Sequence, residues 1–237
     1  MSAPVFLCED LAPDRLLLQG AEGRHAAGAR RLQPGEAVDL VDGRGARAHC
    51  RVVRAGRDEV LLDVVGRDYE PEPVPRLLLV QALPKGDRGE LAVELATEVG
   101  VDAVVPWVAA RCVMQWKGER GERQRERWQA TAREAAKQSR RARVPDIAPL
   151  HTTGQLRARL AGAQVLVLHE AASTRLSELP LPTAPEVALV VGPEGGITVD
   201  ELDALGGTTV RLGPTVLRTS TAGAAAVAVL STRTGRW

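Results

Sequence analysis

Residues 189–197 read Leu-Val-Val-Gly-Pro-Glu-Gly-Gly-Ile, an apolar run that passes directly into a glycine-rich loop. Thr198 and, three residues later, Glu201 then form the capping-box pattern that begins a helix. In a parallel α/β sheet, ligands bind beyond the carboxyl ends of the strands, and glycines there let a ligand approach the backbone closely. The loop matches neither Gly-x-x-x-x-Gly-Lys-Ser/Thr nor Gly-x-Gly-x-x-Gly, which argues against a nucleoside-triphosphate or Rossmann dinucleotide site. A plain turn before a helix is the alternative interpretation.

The same alternation of strand and helix extends outward over most of the chain. Continuous apolar runs are typical of strands that are buried on both faces. They predict strands at Leu77–Gln81, Ala103–Val108, Gln164–His169, Val187–Val191 and Thr208–Leu212. Helices are predicted after Asp87, over Arg120–Arg143, after Thr198, and over Ala222–Leu230 with Thr221 as the N-cap. Strands that alternate with helices indicate an α/β fold with a mostly parallel sheet.

The beginning of the chain follows a different pattern of short strands and turns. An Asp-Gly turn lies between two apolar runs, Val38–Val41 and Ala46–Val53, and is a strong hairpin signal. Three prolines within residues 71–75 can continue neither a strand nor a helix, and they indicate a linker. The sequence therefore predicts a small barrel-like β-domain over residues 1–73 and an α/β domain over residues 74–237.

Charge is unevenly distributed along the chain. The whole sequence has a net charge of +1, which by itself does not indicate a nucleic-acid-binding protein. Residues 111–143, however, hold 11 basic and 4 acidic residues, a net charge of +7. Arginine favours bidentate phosphate contacts, so this block indicates an anionic polymer as partner, and a solvated helix face is the alternative. The candidate contacts, on overlapping faces of the predicted helix, are Arg133, Lys137, Arg140 and Arg141.

Composition argues against several other classes of protein. Aromatic residues make up 3% of the chain, too few for a platform that stacks single-stranded bases. Cys8, Cys50 and Cys112 are widely spaced, and the four histidines lack metal-ligand spacing, which argues against a disulfide scaffold or a metal site. Glu9 and Asp10 stand where a signal peptide would be basic and apolar, and no apolar run reaches the length of a membrane span. The expected setting is the cytoplasm, without membrane association.

Two further polar segments follow predicted strands. Residues 212–222 contain Leu-Gly-Pro, then Leu217 and Arg218, and then three hydroxyl side chains at a helix start. Arg218 lies at the positive end of the helix dipole, where an arginine adds no stability, and this placement favours a functional role. His169 and Glu170 end another strand. Each loop alone fits an ordinary surface loop, but three of them with Gly, Glu and Arg favour a convergent pocket.

Together these segments resemble the RsmE family, the bacterial 16S rRNA uridine N3-methyltransferases of the SPOUT class. The order and spacing of the motifs match over essentially the whole chain. The resemblance is carried by Gln-Ala-Leu-Pro-Lys-Gly-Asp at 81–87, Glu-Val-Gly-Val at 98–101, Glu-Ala-Ala-Lys-Gln-Ser-x-Arg at 134–141, Gly-Pro-Glu-Gly-Gly at 192–196 and Leu-Gly-Pro-x-x-Leu-Arg-Thr-x-Thr-Ala at 212–222. The pairs His25-Ala26 and Arg30-Arg31 match the family's N-terminal segment less closely.

The resemblance implies a PUA-like RNA-binding barrel, a SPOUT domain with a deep trefoil knot, S-adenosyl-L-methionine as cofactor, a homodimer, and 16S rRNA in the small ribosomal subunit as substrate. The residues expected at the cofactor are His169, Glu170, Val191, Gly192, Pro193, Glu194, Gly195, Gly196, Leu212, Gly213, Val216, Leu217, Arg218, Thr219, Thr221 and Ala222. The residues expected to bind RNA, from the resemblance and the basic block, are His25, Arg30, Arg31, Lys85, Arg133, Lys137, Gln138, Arg140 and Arg141. Ser220 stands where family members often have Glu, so a role for that carboxylate does not carry over.

The chemistry that this resemblance implies needs a particular side chain. Uracil N3 must lose its proton before it attacks a methyl group, and a cation stabilises the resulting anion. Arg218 is therefore the candidate catalytic residue, and the group that takes the proton is left open. The alternatives are a SPOUT enzyme acting on tRNA or on a ribose 2′-hydroxyl, or a non-catalytic RNA-binding ribosome-assembly protein. The intact Gly-Pro-Glu-Gly-Gly and Leu-Arg-Thr strings argue against the non-catalytic alternative.

Overall fold

The structure is a computed structural model, and it describes residues 3–237. Within it the chain forms two compact units. The first comprises residues 3–72 together with residues 136–144, and the second comprises residues 73–135 and 145–237. The first unit therefore contains a short segment of the basic block that the sequence-based division assigns to the second domain.

A five-stranded sheet forms the core of the first unit. The strands lie in the order β1-β3-β4-β5-β2 and span Val5–Leu7 (β1), Arg15–Leu18 (β2), Ala37–Val41 (β3), Ala46–Ala55 (β4) and Val60–Tyr69 (β5). The predicted hairpin is confirmed, because β3 and β4 pair antiparallel with Val38 opposite Cys50. Val38 and Leu40 on β3, and Val60 and Leu62 on β5, are fully buried at alternating positions, as expected for strands that turn one face to the core.

A short helical segment that the sequence analysis does not predict joins β2 to β3. Helix α1 (Gly20–Arg24) continues directly into one turn of π-helix, His25–Ala29. The N–H of Arg30 donates to the carbonyl of His25 at 2.9 Å, the i to i+5 pattern of a π-helix. Arg31 follows with a φ of 52°, in the left-handed region that residues other than glycine seldom adopt.

The long basic helix ends earlier than the predicted Arg143. Helix α3 spans Gly118–Gln138, and Arg140 then adopts a φ of 58°. The N–H groups of Arg140 and Arg141 donate to carbonyls three and five residues earlier, at 3.1 and 2.9 Å, which is a Schellman motif. Both arginines therefore lie beyond the helix, and the expectation that they share a helix face with Lys137 is wrong.

Residues 142–144 give the physical reason for this early end. The N–H of Gly45 donates to the carbonyl of Ala142 at 3.2 Å, and the N–H of Val144 donates to the carbonyl of Gly43 at 3.0 Å. Ala142 is also fully buried. These backbone pairs with the hairpin turn need an extended chain, so tertiary contacts override the helix propensity of the Arg-rich segment.

A parallel sheet forms the core of the second unit and confirms the α/β fold. The strand order is β12-β10-β11-β6-β7-β8, with β9 paired to β7, and all of these pairs are parallel. The strands span Arg76–Ala82 (β6), Ala103–Val108 (β7), Asp146–Ile147 (β8), His151–Thr152 (β9), Gln164–Leu168 (β10), Glu186–Val191 (β11) and Thr208–Val210 (β12). All five predicted strands are present, with small shifts at their ends, whereas the short strands β8 and β9 are not among the predictions.

Helices alternate with these strands. They are α2 (Arg88–Glu98), the greater part of α3, α4 (Thr153–Arg159), α5 (Val199–Leu205) and α6 (Thr219–Arg233). Helix α6 packs tightly on β6, because a Cβ on Gly223 would lie 2.7 Å from Cδ1 of Leu79. Over residues 3–237, no helix has the length and apolar character needed to cross a membrane.

The predicted helix caps have mixed outcomes. Thr198 and Glu201 form the predicted reciprocal capping box of α5. Asp87 precedes α2 but makes no side-chain cap. The prediction that Thr221 caps the last helix is wrong, because α6 begins at Thr219, three residues before the predicted start, with Arg218 as its N-cap. The Thr221 hydroxyl donates back to the Arg218 carbonyl at 3.2 Å.

A cluster of charged side chains lies on the first-unit sheet. On β4, Nδ1 of His49 lies 2.8 Å from Oδ1 of Asp39, and Nε2 lies 3.0 Å from Oδ2 of Asp68. The hydrogen bond to Asp39 raises the pKa of His49, partial burial opposes this, and Asp68 adds to the increase. Arg47 pairs with both carboxylates, at 3.0 and 3.8 Å. The cluster therefore stabilises the charged form of His49 in the folded protein.

We expect a His49→Gln variant to be destabilised most at acidic to neutral pH. The folded-state pKa is raised, so the stabilisation is fully present below the unfolded pKa of about 6.5 and is lost as the pH rises through the folded pKa. The difference in melting temperature from the wild type should therefore shrink over the pH interval that begins at about 6.5 and ends above the raised folded-state pKa. An Arg54→Gln variant, which loses an exposed ion pair with Glu59, should show a constant difference over this interval. A constant difference for His49→Gln would contradict the prediction.

Candidate active site

A cavity of about 520 Å³ lies at the carboxyl ends of three adjacent strands of the second unit. Its walls are the loops that follow β10, β11 and β12, which are neighbours in the sheet. The three segments that the sequence analysis singles out therefore meet at one edge of the sheet. The volume falls within the range of pockets that bind small organic ligands.

All but one of the residues expected at the cofactor line this cavity. The exception is Thr221, whose hydroxyl is used within the first turn of α6. The part that these residues play in cofactor binding stays a prediction. Lining residues that the sequence analysis does not single out are Arg88, Arg111, Leu168, Ile197, Val210, Arg211, Pro214 and Thr215.

The glycine-rich loop needs glycine at two positions for different reasons. A Cβ on Gly192 would lie 2.5 Å from Cγ1 of Ile197, so a side chain there would displace the buried wall of the cavity. Gly196 has a φ of 78°, and its N–H donates to the carbonyl of Pro193 at 2.9 Å. The loop is a tight turn whose backbone faces the cavity, which leaves its polar groups accessible to a ligand.

Groups from the segments that follow β6 and β7 hold the glycine-rich loop in place. Oε1 of Glu194 accepts from the N–H of Lys85 at 3.3 Å and lies 3.6 Å from a guanidinium nitrogen of Arg88. Arg111 donates to the carbonyl of Gly195 at 2.8 Å. Arg88 and Arg111 both come after the carboxyl ends of parallel strands, at the edge of the sheet where the cavity lies. Their position after predicted strands is the signal in the sequence that could have identified them as site residues.

A buried carboxylate holds the backbone next to Arg111. Glu201 is 5% exposed, and its Oε1 accepts from the N–H of Ala110 at 2.7 Å and from the hydroxyl of Thr153 at 3.3 Å. Burial alone would raise the pKa of Glu201, but hydrogen bonds from Ala110, Thr198 and Thr153 outweigh it and lower the pKa. The capping residue of α5 therefore also fixes the segment from which Arg111 reaches the glycine-rich loop.

Two polar groups at the cavity are open to a ligand. Oγ1 of Thr219 is buried and has no hydrogen-bond partner among the residues that the structure describes. A buried hydroxyl without a partner is unfavourable by about 1–3 kcal/mol, and a polar ligand atom would relieve this. Arg218 is exposed, and its guanidinium contacts no carboxylate within residues 3–237.

In the same described part of the chain, no cluster of three His, Cys, Asp or Glu side chains is suited to a metal ion.

The residues expected to bind RNA are not all in one place. Five of them line a second cavity, within the first unit, and these are His25, Arg30, Lys137, Gln138 and Arg140. Lys137 is only 7% exposed, and its Nζ lies 2.7 Å from Oε1 of Glu22, so it forms an internal ion pair and does not present its charge at the surface. The remaining four line neither of the two cavities, and they are Arg31, Lys85, Arg133 and Arg141.

Comparison with protein families defines the class of protein. Residues 70–231 match the model of the RNA methyltransferase domain, and residues 18–65 match the model of the RNA methyltransferase PUA domain. The first match alone covers more than half of the chain. The fold is therefore that of an RNA methyltransferase, with a PUA-like β-domain and a SPOUT-type parallel-sheet domain.

Full-length relatives define the family more narrowly. The chain is 48% identical over 248 residues to ribosomal RNA small subunit methyltransferase E of Mycobacterium bovis, covering 100% of this chain and 94% of the relative. It is 31% identical over 229 residues to the Bacillus subtilis protein of the same name, covering 92% and 90%. A crystal structure of the Neisseria gonorrhoeae protein of this name, bound to S-adenosyl methionine, superposes with a TM-score of 0.87 at 26% identity over 98% of both chains. The chain belongs to the ribosomal RNA small subunit methyltransferase E family, and the resemblance seen in its motifs is confirmed.

Proposed function

We propose that this protein transfers a methyl group from S-adenosylmethionine to N3 of a uridine in the 16S rRNA of the small ribosomal subunit. The observation that carries the proposal is the cavity at the strand ends, where the glycine-rich loop and the Leu-Arg-Thr segment surround a buried hydroxyl that has no partner among residues 3–237. The cofactor of the Neisseria gonorrhoeae relative and the names of the relatives support the donor and the class of RNA.

The residues that line the cavity fit the chemistry of this cofactor. Backbone N–H and carbonyl groups of Gly192–Gly196 would bind its polar groups, and Val191, Leu212 and Leu217 offer apolar contacts for the adenine ring. The Thr219 hydroxyl, which has no partner among residues 3–237, would gain one. S-adenosylmethionine supplies a methyl group on a positively charged sulfur, which a nucleophile in line with that bond can accept.

Arg218 is proposed as the catalytic residue. It lines the cavity, is exposed, and is the N-cap of α6, where the helix dipole is positive. Uracil N3 is a poor nucleophile until it loses its proton, and negative charge then spreads over the ring. A guanidinium and a helix N-terminus beside the ring both stabilise this charge and orient the base.

Family membership also suggests an RNA-binding domain, a knotted fold, a cellular location and an oligomeric state, and these belong to the same proposal. We infer that residues 1–73 act as an RNA-binding domain, that residues 74–237 contain a deep trefoil knot, and that the protein acts in the cytoplasm as a homodimer. Arg31, Lys85, Arg133 and Arg141 are proposed as further RNA contacts outside the two cavities. The family assignment supports each of these inferences.

The substrate is tested by offering small ribosomal subunits, naked 16S rRNA and tRNA to the purified protein with labelled S-adenosylmethionine. We expect methyl transfer to rRNA, with the label mapped to N3 of one uridine. Comparing particles with naked rRNA then tells whether the enzyme reads the assembled subunit. Labelling of tRNA alone, or of a ribose hydroxyl, would overturn the proposed substrate, and an absence of any transfer would overturn the enzymatic function.

The role of Arg218 predicts a separation of binding from catalysis. An Arg218→Ala variant should bind S-adenosylmethionine with nearly unchanged affinity, because the glycine-rich loop is intact. Its single-turnover methylation rate should fall by about 100-fold or more, the usual effect of removing a group that stabilises charge in the transition state. An Arg218→Lys variant should retain part of the rate. Methylation at the wild-type rate by Arg218→Ala would exclude this role.

The hydroxyl of Thr219 predicts a loss of cofactor affinity without a loss of stability. A Thr219→Val variant keeps the shape of the side chain and removes a buried hydroxyl that has no partner in the described chain. Its melting temperature without cofactor should be equal to or above that of the wild type, and its dissociation constant for S-adenosylmethionine should rise about tenfold. The matched control, Thr221→Val, removes a hydroxyl outside the cavity and should leave the constant unchanged. Calorimetry that finds equal constants for both variants would rule out the contact.

A further inference from the structure

The second cavity, of about 480 Å³, lies within the first unit and shares no lining residue with the cavity at the strand ends. Four pieces of the chain form it: residues 3–6 with the start of β1, the π-helix with the residues that follow it, Glu36 with the first residue of β3, and residues 137–140 at the end of α3. The last piece comes from the basic block and belongs to the first unit.

This cavity has an apolar floor and a cationic rim. Phe6 and Leu32 are buried, and the Phe6 ring packs edge-on against His25 with 5.7 Å between the ring centroids. Arg30 and Arg140 are exposed at the rim. Within residues 3–237, neither guanidinium forms a hydrogen bond or an ion pair, so both charges are available to a ligand.

The carboxylates near the cavity already have partners. Glu22 is paired with Lys137 at 2.7 Å, so these two charges compensate each other. Glu36 lines the cavity, and its Oε2 accepts from the backbone N–H of Gln33 at 3.2 Å. The two arginines at the rim therefore carry more positive charge than Glu36, the carboxylate that lines the cavity, carries negative charge. This excess of positive charge favours the binding of an anion.

The backbone is in an unusual conformation at Arg140, which lines the cavity, and at Arg31, which follows the lining residue Arg30. Arg31 and Arg140 are the residues other than glycine with a positive φ in the described chain, at 52° and 58°. Each follows the end of a helix, at the position that glycine usually occupies because an L side chain there is unfavourable by about 1–2 kcal/mol. The π-helix beside them is a further irregularity of the kind that clusters at functional sites. Arginine has been placed here against the local backbone preference.

We propose that this cavity is a subsite for one nucleotide of the substrate RNA, apart from the uridine that is methylated. Its base or ribose would lie on the apolar floor beside His25, and its phosphodiester would be bound by Arg30 and Arg140. Guanidinium groups suit phosphate because their planar donors match two of its oxygens. The inference rests on the proposed RNA substrate, and it adds a second contact that helps to fix where on the RNA the enzyme binds.

The test uses Arg140→Gly, because glycine suits the left-handed backbone and removes the charge. Its melting temperature should be unchanged or raised. Its dissociation constant for small ribosomal subunits should rise about tenfold, the usual effect of losing a hydrogen bond to a charged group. The slope of log K against log salt should become shallower by about 0.7–0.9 for the lost phosphate contact. An Arg30→Gln variant should show the same two changes in RNA binding.

The control is Arg57→Gln, an exposed arginine of the same unit that does not line the cavity. It should bind the particles with the wild-type constant and salt slope. The subsite is disproved when the wild type methylates the particles normally and both cavity variants bind as it does. It is also disproved when affinity falls with an unchanged salt slope, since the arginines then do not contact phosphate. A wild type that neither binds nor methylates the particles instead defeats the proposed function itself.

Discussion

The parallel register of β11 between β10 and β6 is the constraint on which the candidate active site depends. Val190 lies opposite Val167 on one side and Val80 on the other, and all three side chains are fully buried. Because the pairs are parallel, the chain leaves every strand at the same edge, and the loops that carry glycine, glutamate and arginine meet there. Burial of such side chains, at about 25 cal/mol per Å² of apolar surface, favours this register, because a slip of one residue would turn each side chain of the strand to the opposite face of the sheet.

The site itself is arranged for a ligand and not for the stability of the empty protein. Thr219 keeps a buried hydroxyl without a partner in the described chain, and Arg218 stands at a helix N-terminus, where the dipole disfavours a cation. The groups that support the site, in contrast, have hydrogen-bond partners. Glu201 accepts from the backbone just before Arg111, and Arg111 donates to the carbonyl of Gly195. Rigid support beneath unsatisfied groups is the arrangement that keeps a binding site in its productive geometry.

The structure also changes the meaning of the basic block. Its net charge suggests a continuous surface for RNA, but several of its cations are used within the protein. Lys137 is buried against Glu22, Arg143 lies over the Tyr69 ring at 5.5 Å from its centroid, and Arg125 donates to the carbonyl of Ile147. A charge count along the sequence therefore overestimates the cations that can meet a polyanion. The arginines at the rim of the second cavity, which have no ion-pair partner among residues 3–237, are the more informative ones.

The sequence by itself determined the features that depend on neighbouring residues. The apolar runs of β6, β7, β10, β11 and β12, the Asp-Gly hairpin and the Thr198–Glu201 capping box are set by contacts within a few residues, and the glycine and Leu-Arg-Thr motifs locate the cavity. Only the tertiary structure decided where α3 ends, that Arg88 and Arg111 hold the glycine-rich loop, and that Lys137 is an internal ion pair. Lys137 and Glu22 are 115 residues apart in the chain. The free energy of such a contact comes from burial and backbone pairing that exist only once the distant segments have come together, and no local pattern records it.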